Sequence, residues 1–176
     1  MAVCMTDAYL IGTGEGWMGG GQMYSFDRAF RELFAEAQTE ILIAVYIFTS
    51  SASDVLSLIT DALKRGLQVC LIVNDLLNTD HNRGLRQHLP ELLQLGLKLW
   101  TFEPVHGMDA QATYLHGKLL VADRKKALIG SFNLTGKAIN NNHEVGVVVD
   151  GKAADQAGKA FQSLLKYPLV KRVYSV

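Results

Sequence analysis

His116-Gly117-Lys118-Leu119-Leu120-Val121-Ala122-Asp123, followed by Arg124-Lys125-Lys126-Ala127-Leu128-Ile129-Gly130-Ser131-Phe132-Asn133, is the stretch from which the rest of the chain can be read. Two apolar runs, Leu115 to Ala122 and Ala127 to Phe132, are separated only by a charged turn, which predicts a β-hairpin. Side chains alternate along a strand, so His116 and Lys118 share one face, as do Ser131 and Asn133. A symmetric turn of two or four residues sets Lys118 opposite Ser131 and His116 opposite Asn133, whereas a three-residue turn breaks that register. In the symmetric case four polar side chains form one patch, where the second strand gives way to a short helix from Leu134. The free N–H groups at the start of that helix favour an anion, and a phosphate fits. Lys118 brings a full positive charge, Ser131 and Asn133 bring neutral donors, and His116 brings a nitrogen that attacks or carries a proton. Downstream, Glu144 is placed to accept the other imidazole N–H and fix the tautomer, with an exposed strand-start residue as the alternative reading.

Working outward, Phe26, Ala29, Phe30, Leu33, Phe34 and Ala37 recur at helical spacing from Ser25. Ile41 to Phe48 reads as a buried strand. A helix capped by Ser53 and stopped by Gly66 follows, then a strand at Leu67 to Val73. A third helical stretch, interrupted near Pro90, runs to Leu95, before a strand at Leu97 to Phe102. This β-α-β-α-β pattern predicts a parallel core. The hairpin, a strand at Glu144 to Val149 and a helix at Ala153 to Lys166 complete the expectation. The fold class is α/β: a mixed, largely parallel β-sheet flanked by helices on both faces.

The 176 residues suit one domain, with 17 Lys plus Arg against 17 Asp plus Glu, 49% hydrophobic and 19% charged residues. That composition excludes a disordered polymer, and no apolar run is long enough for a membrane span. Residues 1–24 are expected as a glycine-rich N-terminal arm or loop and residues 25–176 as the domain. A phosphate-cradling reading of Gly12-Thr13-Gly14-Glu15-Gly16 lacks the Gly-Lys-Ser/Thr ending of a P-loop, so a plain flexible segment is preferred. Met1 to Leu10 does not read as a secretion signal, so the cytoplasm is the expected location. Cys4 and Cys70 cannot build a disulfide framework and are expected as free thiols.

His116-x-Lys118-x4-Asp123, with Gly130-Ser131-x-Asn133 and Glu144 downstream, resembles the motif set of the phospholipase D superfamily. The single motif and short chain are most similar to the bacterial Nuc-type endonucleases of that superfamily. The resemblance implies a phospholipase D-like fold and a metal-independent phosphodiesterase working without a cofactor through a covalent phosphohistidine. It implies His116 as nucleophile, Lys118 and Asn133 on the nonbridging oxygens, Ser131 assisting, and Asp123 as structural support outside the reacting centre. One motif supplies one histidine, and a ring bonded to phosphorus cannot also be the acid. A homodimer sharing one active site between two copies of His116 is therefore expected.

Other residues have blander readings. His81 and His88 are seven apart without a ligand set, so no metal site is expected there. His143 reads as a turn residue, and His106 and Asp109 lie in a loop where substrate contact competes with plain solvation. Between His116 and Lys137 the five basic residues Lys118, Arg124, Lys125, Lys126 and Lys137 face one acidic residue, Asp123. That surplus favours a polyanion, with Lys137 as a substrate contact, although Arg124 to Lys126 sit at the hairpin tip, far from His116 along the strand. Nucleic acid, DNA or RNA with little base readout, is the expected partner, because no recognition module is present. Two readings compete with it: a phospholipid phosphodiesterase, for which no membrane anchor or basic amphipathic helix is seen, and a noncatalytic nucleic-acid-binding module on the same scaffold.

Overall fold

The structure, a computed structural model, describes residues 7–21, 23–49, 52–77, 80–104 and 113–175. In chain order its first elements are β1 (Ala8–Gly12), α1 (Glu15–Met18), β2 (Tyr24–Ser25), α2 (Phe26–Glu36), β3 (Glu40–Val45), α3 (Ser53–Lys64) and β4 (Gln68–Asn74). They continue with α4 (Arg83–Gln94), β5 (Lys98–Phe102), β6 (Lys118–Ala122) and β7 (Lys126–Gly130). The last are α5 (Gly136–Asn140), β8 (Val145–Asp150), α6 (Gly151–Leu164) and β9 (Val170–Val173). The strands form one sheet in the order β2-β1-β8-β7-β6-β3-β4-β5-β9.

Strand alternation divides the core into two layers. Ile41, Ile43 and Val45 of β3 face the layer that holds Phe26 and Phe30 of α2, Ile59 of α3 and Leu89 of α4. Leu42 and Ala44 face the other layer, with Ala154, Ala157 and Phe161 of α6. The expected mixed sheet with helices on both faces is therefore present.

Its balance of strand directions differs from the expectation. The β-α-β-α-β half gives the parallel run β3, β4 and β5. Among the described residues five of the eight strand pairings are nevertheless antiparallel. The second half of the chain supplies them: a three-residue turn joins β6 to β7, which only antiparallel neighbours allow, β6 runs against β3, and β8 and β9 also run against the strands beside them.

The N-terminal segment also differs from an arm or loop. Ala8–Gly12 pairs antiparallel with β8 from Ala8↔Val149 to Gly12↔Val145, and Ile11 is fully buried. Pro90 lies inside a continuous α4 rather than interrupting it.

The hairpin register is one residue from the symmetric case: Lys118 pairs with Gly130, and Ala122 with Lys126. The turn is the three residues Asp123, Arg124 and Lys125, with Lys125 N–H donating to the Ala122 carbonyl at 2.9 Å. Asp123 and Arg124 both have positive φ, 52° and 55°. An aspartate tolerates that conformation, and its carboxylate here accepts from Gln38, Thr39 and Glu40 N–H at 2.8 to 2.9 Å and from Thr39 Oγ1 at 2.6 Å. No helix among the described residues is long and apolar enough to cross a membrane. Cys70 is a buried free thiol, and Cys4 lies outside the described residues.

Candidate active site

The register brings the carboxyl ends of β1, β3, β4 and β7 and the amino ends of β6 and β8 to one border of the sheet. Open α/β sheets place ligands at the carboxyl ends of their parallel strands, and the motif residues His116, Lys118, Ser131, Asn133 and Glu144 all stand at this border.

His116 precedes β6 and is exposed, whereas Lys118 is its first residue and is 7% exposed. The Lys118 ammonium donates to the His116 carbonyl oxygen at 2.6 Å and stands 3.2 Å from His116 Nδ1. An ammonium has no lone pair, so Nδ1 accepts and the neutral ring carries its proton on Nε2. Burial lowers the Lys118 pKa from the ordinary lysine value, and the negative charge of Glu144 works against that shift. Tyr46, just past β3, completes the cluster, its ring centroid 5.3 Å from that of His116 and 5.8 Å from Lys118 Nζ.

Ser131 and Asn133 lie past the end of β7, in the connection that leads to α5. Gly130 and Gly146 face each other across β7 and β8, and the Phe132 ring lies over both. A Cβ would come within 2.7 Å of that ring at Gly130 and 2.5 Å at Gly146. Phe132 in turn stacks on Phe26 at 3.8 Å between centroids. The glycine thus seats Phe132, and Phe132 turns the residues flanking it. Asn133 Oδ1 accepts from Ile47 N–H at 3.3 Å, and Leu134 N–H donates to the Ile47 carbonyl at 3.0 Å. With its carbonyl committed, Asn133 offers an incoming anion its amide N–H2. The helix begins at Gly136 rather than Leu134, with Thr135 Oγ1 accepting from Ala138 N–H at 3.0 Å.

Within one chain the Glu144 carboxylate is engaged by the loop beside Ser131. It accepts from Ser131 Oγ in a short contact and from Asn142 Nδ2 at 3.0 Å, while Lys118 takes the imidazole nitrogen. Buried Thr13 ties the same loop to β1: its N–H donates to the Glu144 carbonyl at 3.1 Å and its hydroxyl to the Asn142 carbonyl at 2.7 Å. The first glycines of the N-terminal run pack here too, with Gly16 N–H donating to His143 Nε2 at 3.1 Å.

Sequence reading misses two buried amides that hold this border. Asn74 Oδ1, at the end of β4, accepts from Leu115 N–H at 2.9 Å, one residue before His116. Asn82 donates to the Asn74 carbonyl at 2.7 Å and accepts from Phe48 N–H at 3.0 Å, two residues past Tyr46. A buried asparagine with matched partners is the only signal either leaves, and it is invisible without the topology.

Asp123 lies at the opposite end of β6, pinning the backbone of 38–40, and its carboxyl is lowered to about 2; burial raises it, but the hydroxyl of Thr39 and three backbone N–H groups outweigh that. The tip cations are also engaged there: Arg124 pairs with Glu40 at 2.8 Å and Lys126 with Glu36 at 2.6 Å. The positive surplus in the sequence therefore does not gather at the site. Lys137 is exposed on α5, where its carbonyl accepts from Asn141 and Asn142 N–H. His106 and Asp109 lie outside the described residues.

Residues 30–165 match the family model for the PLD-like domain of cardiolipin synthase. Cardiolipin synthase A of Buchnera aphidicola subsp. Acyrthosiphon pisum is 30% identical over 117 residues, 65% of this chain and 22% of that protein. The chain spans less than half the length of the curated relatives it matches first. Among solved structures, Nuc of Salmonella typhimurium, a phospholipase D family member, superposes with a TM-score of 0.73 at 21% identity, covering 97% of this chain and 100% of that one. NucT from Helicobacter pylori gives 0.74 at 17% identity, covering 96% and 100%. These likenesses show a shared fold.

Proposed function

The chain belongs to the family of the cardiolipin synthase PLD-like domain, within the phospholipase D superfamily, and from that premise we propose that it hydrolyses phosphodiester bonds with His116 as the nucleophile. The observation that carries this reading is the pairing of His116 with the buried Lys118 ammonium at 3.2 Å, on the sheet border that also holds Asn133.

In the proposed cycle an incoming phosphate draws the Lys118 ammonium away from Nδ1, because an anion is the better acceptor. Lys118 and the Asn133 amide then hold the nonbridging oxygens, and the freed imidazole attacks phosphorus. The N–P bond forms as the bond to the leaving oxygen breaks, and that oxygen takes a proton from a second imidazole. Water next attacks phosphorus, gives its proton to the second ring, and the N–P bond breaks. His143, next to Glu144, has its Nε2 held by Gly16 N–H. The second imidazole is assigned to His116 of another copy of this chain, so the working form is a two-fold dimer. Ser131 and Glu144 support the loop beside the phosphate, and Lys137 meets substrate beyond it. No step calls on a metal or a cofactor.

DNA or RNA, read through its backbone, is the proposed substrate. Its support is the likeness in fold to Nuc and NucT, each of which this chain covers in full. The lipid reading has its own support in the curated relatives named cardiolipin synthase A. Plasmid, single-stranded DNA, RNA and phosphatidylglycerol vesicles, each incubated in excess EDTA with wild type and His116→Ala, separate the two. Loss of nucleic acid in the wild-type arm alone supports the nuclease. Release of a lipid headgroup alone transfers the same chemistry to lipid, and binding of DNA without turnover favours the noncatalytic module.

A further inference from the structure

We propose that Tyr114, backed by Tyr46, is a stacking subsite for an unpaired nucleobase beside the scissile phosphate, so that the polynucleotide is taken single-stranded; this rests on the nuclease reading above. Tyr114 and His116 flank buried Leu115, and both open to solvent, Tyr114 at 46% exposure. Leu115 is held by the Asn74 amide, so the aromatic ring and the imidazole are carried on one fixed strip of backbone. Tyr46 meets Tyr114 edge to face, 6.3 Å between centroids at 86°, and lies 5.3 Å from the His116 ring. The two tyrosines and the imidazole are thus one continuous aromatic corner.

The chemistry of that corner selects among occupants. A phosphorus in line for attack stands about 3 to 3.5 Å from the His116 nitrogen, and the Tyr114 ring lies one aromatic ring further out, across Tyr46. A cationic headgroup meets like charge, because Lys118 already lies 5.8 Å from the Tyr46 centroid. An acyl chain needs a continuous apolar groove; the apolar cavity behind Lys118, lined by Phe26, Phe30, Phe132 and Leu134, holds only about 10 Å³, and the neighbouring open cleft is polar. That cleft, of about 440 Å³, is lined by Thr49, Asp80, His81, Arg83, Gly84 and Gln87. It borders the site directly, since Thr49 N–H donates to the Leu134 carbonyl next to Asn133 at 2.9 Å. Aromatic beside polar is the pairing that takes a single strand: every base has a face to stack, and the cleft offers Arg83, beside Asp80, His81 and Gln87, to the backbone. Bases inside a duplex are already stacked and do not reach such a ring without being extruded.

The test uses a 5′-labelled single-stranded DNA oligonucleotide, the same strand with an abasic site next to the cleaved linkage, the corresponding duplex, and phosphatidylglycerol vesicles. Tyr114→Ala is expected to raise KM for the intact strand about tenfold, the loss of one base–aromatic stack, with kcat within about twofold of wild type. Tyr114→Phe keeps the ring and the wild-type KM. On the abasic strand wild type shows the raised KM, and Tyr114→Ala adds nothing to it. If the strand is cut but Tyr114→Ala matches wild type, or weakens intact and abasic strands equally, the subsite is overturned while the nuclease stands. If wild type cuts no nucleic acid and hydrolyses the vesicles, the nuclease reading falls and takes the subsite with it.

Discussion

The Lys118 ammonium and His116 Nδ1 stand 3.2 Å apart, with the same ammonium 2.6 Å from the His116 carbonyl oxygen. Lys118 therefore sets the position and the tautomer of the imidazole before any substrate arrives, and the later arrival of a phosphate releases both.

Lys118→Met is expected to lower kcat by about 10²-fold or more, the loss of a preorganised charge on a reacting oxygen, without lowering the melting temperature. The ammonium is buried and its pKa is pushed down, so the charge is held at a cost that methionine does not carry. The same depression predicts that the alkaline limb of the wild-type rate falls below the usual lysine range. Paired thermal melts and pH–rate profiles check this; a large destabilisation with retained activity would reverse the assignment.

Asp123 should act on stability and not on chemistry. Asp123→Ala is expected to cost roughly 2 to 3 kcal/mol, from losing several hydrogen bonds to a charged group, while the folded variant still cleaves. Its folded pKa of about 2 lies below the ordinary aspartate value of 3.8. The sign follows: the stabilisation is complete above about pH 4 to 5, is lost as the pH falls toward 2, and is gone below that. Urea midpoints of wild type and Asp123→Ala measured down this range should converge.

Gly146→Ala and Gly130→Ala place a Cβ against the Phe132 ring and against backbone, at contacts of 2.5 to 2.8 Å. Either is expected to destabilise by roughly 1 to 3 kcal/mol, the usual cost of overpacking, and to reduce kcat by moving Asn133. Denaturant melts combined with kinetics at a temperature where the variant remains folded give both values. Wild-type values of both would show that Phe132 does not seat this loop.

If two copies of His116 share one phosphorus, an equal mixture of wild type and His116→Ala, after subunit exchange, has about one quarter of the activity of the same total amount of wild type, the fraction of dimers with two intact rings. Half the activity after exchange would mean that each chain works alone.

The helices and central strands were legible because their apolar residues fall at clean periods. Val55, Leu56, Ile59, Ala62 and Leu63 are the buried residues of α3. The edges were not, since β2 has two residues and β9 four, too short to show a period, and β1 adjoins a glycine run that reads as loop. The motif residues were readable from spacing, but their pairing slipped by one because Asp123, held by the 38–40 backbone, turns the chain in three residues. Tyr46, Asn74 and Asn82 were invisible for another reason. Each lies far from His116 in sequence and reaches the site only through the order of strands in the sheet.

The most direct test of the account is to quench turnover rapidly on a labelled single-stranded oligonucleotide and look for label bound to protein. The account predicts an acid-labile, alkali-stable phosphoramidate on the peptide that contains His116, absent in His116→Ala. Full turnover with no protein-bound label at any quench time, or cleavage by His116→Ala at the wild-type rate, would contradict it.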